Sequence, residues 1–391
     1  MTTLLSDHPF ARADVGLHNW RERPYSTWAF EHVGELVPSA LVRGAATPDL
    51  PRGLEAGFLD APFGPSRPET SLSDYLALSE TDHLLIARGR RVIAEWHAPH
   101  ARAAQPHLVF SVTKSVTALL AGLLEDSGAL DVARPVSHYL PEAAAGAFGD
   151  ATVRDLLDMR VSLDFTESYL NRDGDYARYR RAMLWNPREA GDREESLAEL
   201  LFHARKGDGA HGGPFHYQSP NSDVLGILVE RVSGVPYADL LSQAFWQPLG
   251  CADGLLTVDA IGTPRGAGGL CARGDDLLRL GRLILDGGAA GGRQLISERW
   301  IADMAGNGDE AAWASGNYHD FLPGGRYRSQ WYMPARPSRA VMAIGIHGQW
   351  LCADPTTDTV IVKLSSQSLP QDDRFDDDNV RLMARLLELA A

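Results

Sequence analysis

Apolar residues recur at helical spacing along much of the chain. The clearest case lies between Ser111 and Ser127, where apolar side chains occupy positions 112, 116, 119, 120, 123 and 124, before Gly128. Side chains three and four residues apart share one face of a helix, so this pattern predicts an amphipathic helix that ends at the glycine. The same reasoning predicts helices over residues 153–159 (with Thr152 as N-cap), 194–204, 221–232, 236–246, 275–285 and 379–389.

Short apolar runs typical of strands lie near the two ends of the chain. Residues 83–88 and 91–97 flank Gly89-Arg90, which predicts a hairpin. Three further runs cover residues 340–346, 350–353 and 359–365, and the turn residues Asp354-Pro355 join the last two. Residues 1–70 are rich in Pro, Gly and aromatics without a period, which predicts an arm wrapped over a core.

Strand signals at both ends, with helices between them, predict an α+β fold. We expect an antiparallel sheet flanked by helices, built from residues 1–110 and 235–391. Residues 111–234 are expected to form a mostly helical region with a lid segment at about 160–215. A chain of 391 residues is long enough for two such domains.

The net charge and the composition of the chain limit the kinds of partner that we expect. The chain has 37 basic and 51 acidic residues, a net charge of −14, and an acidic protein repels nucleic-acid phosphates and anionic lipids. We therefore expect no nucleic-acid and no membrane partner. No apolar stretch approaches roughly 18 residues and no signal peptide is evident, which predicts a soluble, cytoplasmic protein. The scattered Cys251, Cys271 and Cys352 predict reduced, packed thiols.

Lysine is rare in this chain. Of its 37 basic residues only Lys114, Lys206 and Lys363 are lysines. Codon bias accounts for the low ratio of lysine to arginine. The ratio is also of interest because a lysine side chain can lose its proton and an arginine side chain cannot, so a retained lysine can mark a position that needs a neutral amine. Lys114 lies in a motif where that difference matters, whereas no special role is predicted for Lys206 or Lys363.

Ser111-Val112-Thr113-Lys114 opens the strongest predicted helix. A spacing of three puts Ser111 and Lys114 on one helix face, beside the free N–H groups and the positive dipole end of the first turn. A lysine whose pKa is lowered there can act as a base toward a nucleophilic serine, and the serine N–H can face a developing oxyanion. The alternative is a serine that caps the helix, followed by a surface lysine.

A tyrosine lies just before the helix predicted over residues 221–232. The phenol of Tyr217 could enter the cleft beside Ser111 and shuttle a proton to and from a leaving group. The alternative is a buried tyrosine at a helix start that is capped by Ser219 or Asn221.

The segment Ile346-His347-Gly348-Gln349 ends a strand run. A strand edge with glycine can approach a ligand closely, and a backbone N–H there could supply a second oxyanion donor. The alternative is a strand turn with a hydrogen-bonded histidine.

The order Ser-x-x-Lys, Tyr-x-Ser and a His-containing strand motif resembles that of the serine β-lactamase-like hydrolases, which include class C β-lactamases, DD-peptidases and related esterases. LLEDSGALDVARPVSHYLP at 123–141, TVRDLLDM at 152–159 and GGLCARGDDLLRLGRLILDGG at 268–288 resemble the family as well. WAFEHVGELVPSA near 28, FHYQSPNSDVL at 215, GIHGQ at 345 and DPTTDTVIVKLSS at 354 are most similar to the 6-aminohexanoate-dimer hydrolases and their carboxylesterase relatives.

The resemblance implies a β-lactamase/DD-peptidase-like fold and a serine hydrolase that cleaves linear amides or carboxylic esters through an acyl-enzyme. Ser111, Lys114 and Tyr217 would carry the chemistry, and the N–H groups of Ser111 and Ile346 would hold the oxyanion. The partner would be a small-molecule amide or ester, homodimer formation stays open, and no metal or cofactor is implied. The alternatives are a carboxylesterase or a transacylase of the same fold, or a non-catalytic protein that binds an acyl group or a peptide.

Other positions are expected to affect the binding of the substrate and not the chemical steps. By the same resemblance Tyr169 would contact the substrate amide, and Trp185 and Trp331 would line the cleft, with plain packing as the alternative for both tryptophans. Arg180 stands where nylon-oligomer hydrolases carry an acidic residue, so it would repel a cationic amine and could bind a carboxylate. Ala267 replaces a polar cleft residue of those enzymes.

Two histidine features complete the candidate sites. His347 replaces a lysine of β-lactamases that holds the substrate carboxylate, which predicts that β-lactams are not the main substrates. His203, His211 and His216 fall within 14 residues, but their spacing fits no zinc site well. We therefore expect no metal.

Overall fold

A computed structural model describes residues 5, 7–45, 47–189, 191 and 194–391. Its strands are β1 Ser39–Val42, β2 Pro62–Gly64, β3 Arg67–Ser71, β4 Thr81–Arg88, β5 Arg91–His97, β6 His107–Leu108, β7 Gly254–Thr257, β8 Leu270–Ala272, β9 Ala289–Ala290, β10 Arg293–Gln294, β11 Arg326–Arg328, β12 Trp331–Met333, β13 Val341–Gly345, β14 Gln349–Asp354 and β15 Thr359–Ser365. Parts of the predicted N-terminal arm (residues 1–4, 6 and 46) and of the lid (residues 190, 192 and 193) lie outside the described residues.

The described chain also contains α-helices, most of them between β6 and β7. They are α1 Ser26–Ala29, α2 Leu72–Leu78, α3 Val112–Asp126, α4 Val136–Tyr139, α5 Val153–Leu157, α6 Asp175–Ala182, α7 Leu197–Phe202, α8 Pro220–Ser233, α9 Tyr237–Leu241, α10 Gly274–Leu285, α11 Glu298–Gly306, α12 Glu310–Ala314 and α13 Asp373–Ala390. Within the described ranges, no helix has both the length and the apolar character that crossing a membrane requires.

The largest sheet is antiparallel and has the strand order β11-β12-β13-β14-β15-β4-β5. Strands from the C-terminal part therefore pair with the early hairpin β4–β5, through the contact between β15 and β4. Successive side chains of a strand point to opposite faces. Leu85 packs in the core cluster that contains Leu280 of α10, whereas Leu84 packs in the cluster that contains Leu386 of α13. Helices consequently cover both faces of this sheet.

A second, smaller sheet has the order β1-β7-β8-β6 and ends directly before α3. Between β6 and β7 the described residues form the helices α3 to α9 and no strand longer than an isolated bridge. Helix α3 packs against α8 and also reaches β13 of the large sheet. The helical part of the chain and the large sheet therefore meet at the start of α3.

The predicted long elements are confirmed. The helices α3, α8 and α10 and the hairpins β4–β5 and β14–β15 lie where the hydrophobic pattern indicates, and Thr152 caps α5 by accepting a hydrogen bond from the backbone N–H of Asp155. The helix predicted over 236–246 divides into α9 and a π-helical turn, Ser242–Trp246. Cys251, Cys271 and Cys352 are buried free thiols. Short strands such as β1, β7, β11 and β12 carry too few residues for a period to be visible, and the pattern missed them.

Candidate active site

Ser111 stands at the N-terminus of α3, directly after β6 and the two residues that follow it. Its hydroxyl makes no capping bond to the helix; instead Lys114 Nζ donates a hydrogen bond to Ser111 Oγ at 2.9 Å. Lys114 is only 2% exposed. The alternative of a capping serine followed by a surface lysine is therefore excluded. Phe110, immediately before the serine, has φ +44°, a strained backbone conformation for a bulky residue of the kind that is concentrated at functional sites.

Burial changes the protonation of Lys114. The pKa of its ammonium falls from 10.5 to about 7, because desolvation and the nearby charge of Arg265 outweigh the opposing charge of Glu167. A lysine with such a pKa is neutral in a large fraction of molecules near pH 7 and can then accept a proton. Lys114 Nζ also donates to the carbonyl oxygen of Ala267 at 2.6 Å, which orients the amine toward the serine.

Tyr217 approaches the same serine from the loop before α8. Its phenol donates a hydrogen bond to Ser111 Oγ at 2.7 Å, and its backbone N–H donates to Asn317 Oδ1 at 3.0 Å, which fixes the loop. The ring stacks on Tyr318 with centroids 5.1 Å apart. Burial raises the pKa of the Tyr217 phenol well above 10, and neighbouring Tyr332 and Glu167 raise it further. The phenol is therefore protonated at neutral pH.

Two backbone amides flank the serine. Neither Ser111 N–H nor Ile346 N–H has a hydrogen-bond acceptor among the described residues, so both amides are available to a ligand. The strand end approaches the nucleophile closely at Gly345, where an added Cβ would lie 2.7 Å from the carbonyl oxygen of Val109 and 3.1 Å from the backbone nitrogen of Ser111. Glycine is therefore required at position 345, whereas the predicted approach of the Gly348 segment to a ligand stays a prediction.

Three further side chains help to hold Lys114 in place: Asp223, Arg265 and Tyr179. The hydrophobic pattern of the sequence did not single them out. Asp223 Oδ1 accepts the N–H of Ala267 at 2.8 Å, and Asp223 Oδ2 accepts from Arg265 and from the phenol of Tyr179. All three side chains are buried. This ion pair holds Ala267 so that its carbonyl meets Lys114. Ala267, considered above for its missing polar side chain, thus acts on the site through its backbone.

Glu167 was also missed by the sequence analysis. Its carboxylate accepts hydrogen bonds from the backbone N–H of Ser219 at 2.6 Å, from Ser219 Oγ at 2.7 Å and from Tyr169 OH at 2.8 Å. The carboxylate therefore joins the lid segment to the start of α8, where the positive end of the helix dipole favours it. The only available signal was an acidic residue two positions before Tyr169.

The remaining residues predicted to bind the substrate lie in different environments. Tyr169, Arg180, Ile346 and His347 line one cavity. Trp185 packs edge-on against Trp20 and Phe110, and Trp331 is fully buried in β12. The structure thus gives both tryptophans packing contacts, and their part in substrate binding stays a prediction. His347 Nδ1 donates to the carbonyl oxygen of Gln367 at 2.6 Å, and burial lowers the pKa of the ring to about 3, so His347 is neutral.

Two cavities meet at Tyr169, Ile346 and Pro370. One, of about 500 Å³, contains Tyr217 and is walled by aromatic side chains, with carboxylates at its rim; we call it the aromatic cavity. The other, of about 300 Å³, is lined by Arg21, Arg172, Arg180 and Arg181; we call it the arginine pocket. A substrate carbonyl held at Ile346 N–H would lie where these cavities join.

The three clustered histidines have separate partners. His203 Nδ1 lies 2.8 Å from the carbonyl oxygen of Glu199, and His211 Nε2 lies 3.0 Å from Asp150 Oδ1. His216 is exposed in the loop that carries Tyr217, and partial desolvation lowers the pKa of its ring. No set of three or more His, Cys, Asp or Glu side chains suited to a metal ion occurs in the described part of the chain.

Lys363, for which no special role is predicted, lies in an unusual environment for a lysine. This lysine of β15 is fully buried, and its Nζ donates to Ser365 Oγ at 2.7 Å and to the carbonyl oxygen of Gly348 at 3.4 Å. Desolvation lowers its pKa to about 7 against the opposing charges of Asp82 and Asp376. Lys363 therefore lies beneath the loop that presents Ile346 N–H. Lys206, by contrast, forms a surface ion pair with Asp150.

The chain belongs to the beta-lactamase family, because the family model described as Beta-lactamase matches residues 81–385. It is an enzyme of the serine hydrolase class, which rules out the non-catalytic alternative. Among named relatives it is similar to the 6-aminohexanoate-dimer hydrolase of Paenarthrobacter ureafaciens, with 37% identity over 359 residues that cover 91% of this chain and 89% of that protein.

Solved structures confirm the fold. A protein from Bacillus anthracis, provisionally named a 6-aminohexanoate-dimer hydrolase, superposes with a TM-score of 0.87 at 23% identity and covers 98% of this chain and 99% of its own. A family VIII carboxylesterase superposes with a TM-score of 0.60 at 15% identity, over 90% of this chain and 100% of that one. At these identities the likeness concerns the fold, and the predicted α+β, β-lactamase-like architecture is confirmed.

Proposed function

We propose that this enzyme hydrolyses linear amides or carboxylic esters of small molecules through an acyl-enzyme on Ser111. One observation carries the proposal: Lys114 Nζ and Tyr217 OH both contact Ser111 Oγ, at 2.9 Å and 2.7 Å. A structural serine has no need of a buried amine and a buried phenol on the same oxygen. The name of the Paenarthrobacter relative, a 6-aminohexanoate-dimer hydrolase, supports a linear amide as the substrate class.

Lys114 is the base for acylation. Its pKa of about 7 makes the neutral amine available, whereas the raised pKa of Tyr217 keeps that phenol protonated. Neutral Lys114 takes the proton of Ser111 Oγ as the oxygen attacks the substrate carbonyl. The N–H groups of Ser111 and Ile346 then stabilise the negative charge that develops on the carbonyl oxygen.

Tyr217 acts next, at the leaving group. Its phenol gives a proton to the leaving nitrogen or oxygen, and the proton held by Lys114 replaces the one that the phenol has lost. Water then attacks the ester carbonyl of the acyl-enzyme, with the proton transfers reversed, and Ser111 Oγ leaves protonated. No step requires a metal or an organic cofactor.

The setting of His347 favours linear substrates over β-lactams. A lysine at this position would present a cation to a lactam carboxylate, but the His347 ring is neutral, and its Nδ1 is engaged by Gln367. We therefore propose that β-lactams are turned over far more slowly than linear esters and amides. The proposal also locates the enzyme in the cytoplasm, and the three free, buried thiols support such a reducing compartment.

A chromogenic ester tests the function directly. Mixing the wild-type enzyme with p-nitrophenyl hexanoate should release a burst of p-nitrophenol equal to the enzyme concentration, followed by slower turnover. Mass spectrometry of the quenched mixture should find the hexanoyl group on Ser111, and Ser111→Ala should form no adduct. Absence of both burst and adduct in the wild type would refute the acyl-enzyme.

Hydrolysis and transacylation share this intermediate. Adding a small alcohol or amine during turnover separates them, because only a transacylase forms the new ester or amide as its main product. We expect the free acid to predominate. A parallel assay with the linear 6-aminohexanoate dimer and with a chromogenic β-lactam ranks the substrate classes, and a β-lactam turned over faster than the linear substrates would overturn the assignment.

A further inference from the structure

The arginine pocket is lined by more positively charged than negatively charged side chains. Arg172 and Arg181, at its rim, each lie near an exposed carboxylate, Arg172 within 3.9 Å of Glu22 and Arg181 within 4.0 Å of Glu189. The deeper pair, Arg21 and Arg180, differs from them. Neither has a carboxylate oxygen within 4.0 Å in the ranges that the structure describes. Among the described residues, two positive charges therefore face this pocket with no carboxylate oxygen in contact, although Glu22 and Glu189 also line the pocket.

Neutral groups orient the two deeper arginines. Arg21 donates to Asn186 Oδ1 at 2.5 Å, and Arg180 donates to the carbonyl oxygens of Tyr169 at 2.8 Å and Asn171 at 2.6 Å. Desolvation and the neighbouring charge of Arg180 lower the pKa of Arg21 to about 10, so both side chains are still cationic at neutral pH. The two guanidinium groups thus repel each other in a partly desolvated space.

Arg180 also has an unused donor. The side chain is 5% exposed, and its Nε is buried with no hydrogen-bond partner among the described residues. A buried charge without a counter-ion and a buried donor without an acceptor are both costly. An anionic group that entered the pocket would relieve both costs, because a carboxylate accepts charge-assisted bonds from guanidinium groups.

The location of the arginine pocket relative to Tyr217 and Ile346 N–H determines which part of a substrate would enter the pocket. Tyr217, which protonates the leaving group, lines the aromatic cavity, and Ile346 N–H lies where the two cavities join. The leaving group therefore occupies the aromatic cavity. The acyl chain, still attached to Ser111 after the first step, continues past Ile346 and His347 into the arginine pocket.

We propose that the arginine pocket binds a carboxylate at the far end of the acyl chain, so that the enzyme prefers half-esters or half-amides of linear dicarboxylic acids. Arg21 and Arg180 are the residues that select this acyl group. The proposal rests on the acyl-enzyme function given above. It predicts that an acyl chain ending in an ammonium group is disfavoured, since no carboxylate oxygen of the described residues lies within 4.0 Å of either arginine.

Three p-nitrophenyl esters with acyl chains of similar length test the selectivity: the adipate monoester (anionic), the hexanoate (neutral) and the 6-aminohexanoate (cationic). We expect kcat/KM to fall in that order, with about tenfold between the anionic and neutral esters, as one favourable charge contact gives. A kcat/KM for the adipate monoester equal to or below that for the hexanoate would overturn the proposal. Failure of all three esters to acylate Ser111 would instead refute the hydrolase function itself.

Variants locate the selectivity in the pocket. Arg21→Gln and Arg180→Gln should each reduce the ratio of kcat/KM between the adipate monoester and the hexanoate toward one. Arg178→Gln is the matched control, because Arg178 lies on the same helix α6 but pairs with Glu195 away from the pocket. The control should keep the wild-type ratio. An unchanged ratio in both pocket variants would remove these arginines from acyl recognition.

Binding without turnover gives a second measurement, which does not depend on the folding of any variant. Adipate and hexanoate should compete with p-nitrophenyl hexanoate for the wild-type enzyme, and adipate should have the lower inhibition constant, by about tenfold. Inhibition by 6-aminohexanoate should be the weakest of the three. Equal inhibition by all three acids would contradict an anion-selective pocket.

Discussion

Lys114 and Tyr217 contact the same serine oxygen, but burial affects the two groups in opposite ways. A desolvated ammonium loses its proton more easily, whereas a desolvated phenol keeps its proton more tightly. The pKa of Lys114 accordingly falls to about 7, while that of Tyr217 rises well above 10. This difference supports the proposed roles, with the lysine as the base and the tyrosine as the acid.

This assignment predicts the pH dependence of acylation. Below about pH 7 Lys114 is charged and cannot accept the serine proton, so the rate of the p-nitrophenol burst should rise as the pH increases through about 7 and then level off. Stopped-flow measurement of the burst between pH 5 and 9, roughly two units either side, tests this. Lys114→Arg, which keeps the charge permanently, should lower acylation about 10³-fold at every pH. An active Arg variant would show that another group is the base.

Glu167 modifies this titration without contacting the serine. Its negative charge raises the pKa of Lys114, so the isosteric Glu167→Gln should move the midpoint of the burst-rate profile to lower pH. A purely structural role, through the bonds to Ser219 and Tyr169, would reduce the rate but leave the midpoint unmoved. Glu199→Gln at the start of α7 removes a similar carboxylate outside both cavities and controls for the change in net charge.

The loop after β13 is the element on which the oxyanion donor depends. His347 and Gly348 both have positive φ, at +59° and +85°, and side chains beneath the loop hold it in that form. Gln349 Nε2 donates to the carbonyl oxygens of His347 and Ser365 at 3.0 Å and 2.6 Å. Ile346 N–H is thereby held in place before substrate arrives, which is what electrostatic stabilisation of an oxyanion requires.

Gly345→Ala tests the contact between this strand and α3. The new methyl group would lie 2.7 Å from the carbonyl oxygen of Val109, so β13 must shift away from Ser111. We expect a loss of about 1–3 kcal/mol in the free energy of unfolding and a larger relative loss in acylation rate. Gly306→Ala, at the end of α11 where nothing lies within 4 Å, is the control; it should leave the acylation rate unchanged and should not lower the free energy of unfolding. A fully active, stable Gly345→Ala would contradict the close approach.

At the scale of the whole molecule, distant segments converge on one cleft. The proposed nucleophile comes from the start of α3, the phenol from the loop before α8, and the proposed oxyanion loop from the large sheet. The N-terminal arm brings Arg21 beside Arg180 of the lid. The cleft exists only when these parts are packed together. Activity and global folding are therefore coupled in this enzyme.

Burial of Lys363 predicts how global stability changes with pH. Its pKa is about 7 in the folded protein against 10.5 for an unperturbed lysine. The folded state therefore binds fewer protons between these values, and its stability rises with pH across that window. Below pH 7 both states are protonated and the full cost of burying the charge applies.

Lys363→Met removes this titration while keeping a similar volume. The free energy of unfolding of the wild type, relative to the variant, should increase as the pH rises from about 7 toward 10.5. Urea unfolding of both proteins across that range measures the difference. Lys206→Met, at the surface, separates the effect of burial from the loss of a lysine. A difference between wild type and Lys363→Met that stays constant with pH would show that Lys363 is buried without a lowered pKa.

The sequence by itself determined the elements whose period is long enough to read, and with them the spacing of Ser111 and Lys114 on one helix face. It also contained the motif order that identifies the family. Only the tertiary structure decided that Lys363 is buried, that Glu167 and the Asp223–Arg265 pair support the reacting groups, and that Arg21 lies beside Arg180. The physical reason is that periodicity reports which face of an element is covered, whereas desolvation and charge pairing depend on which distant segments meet there.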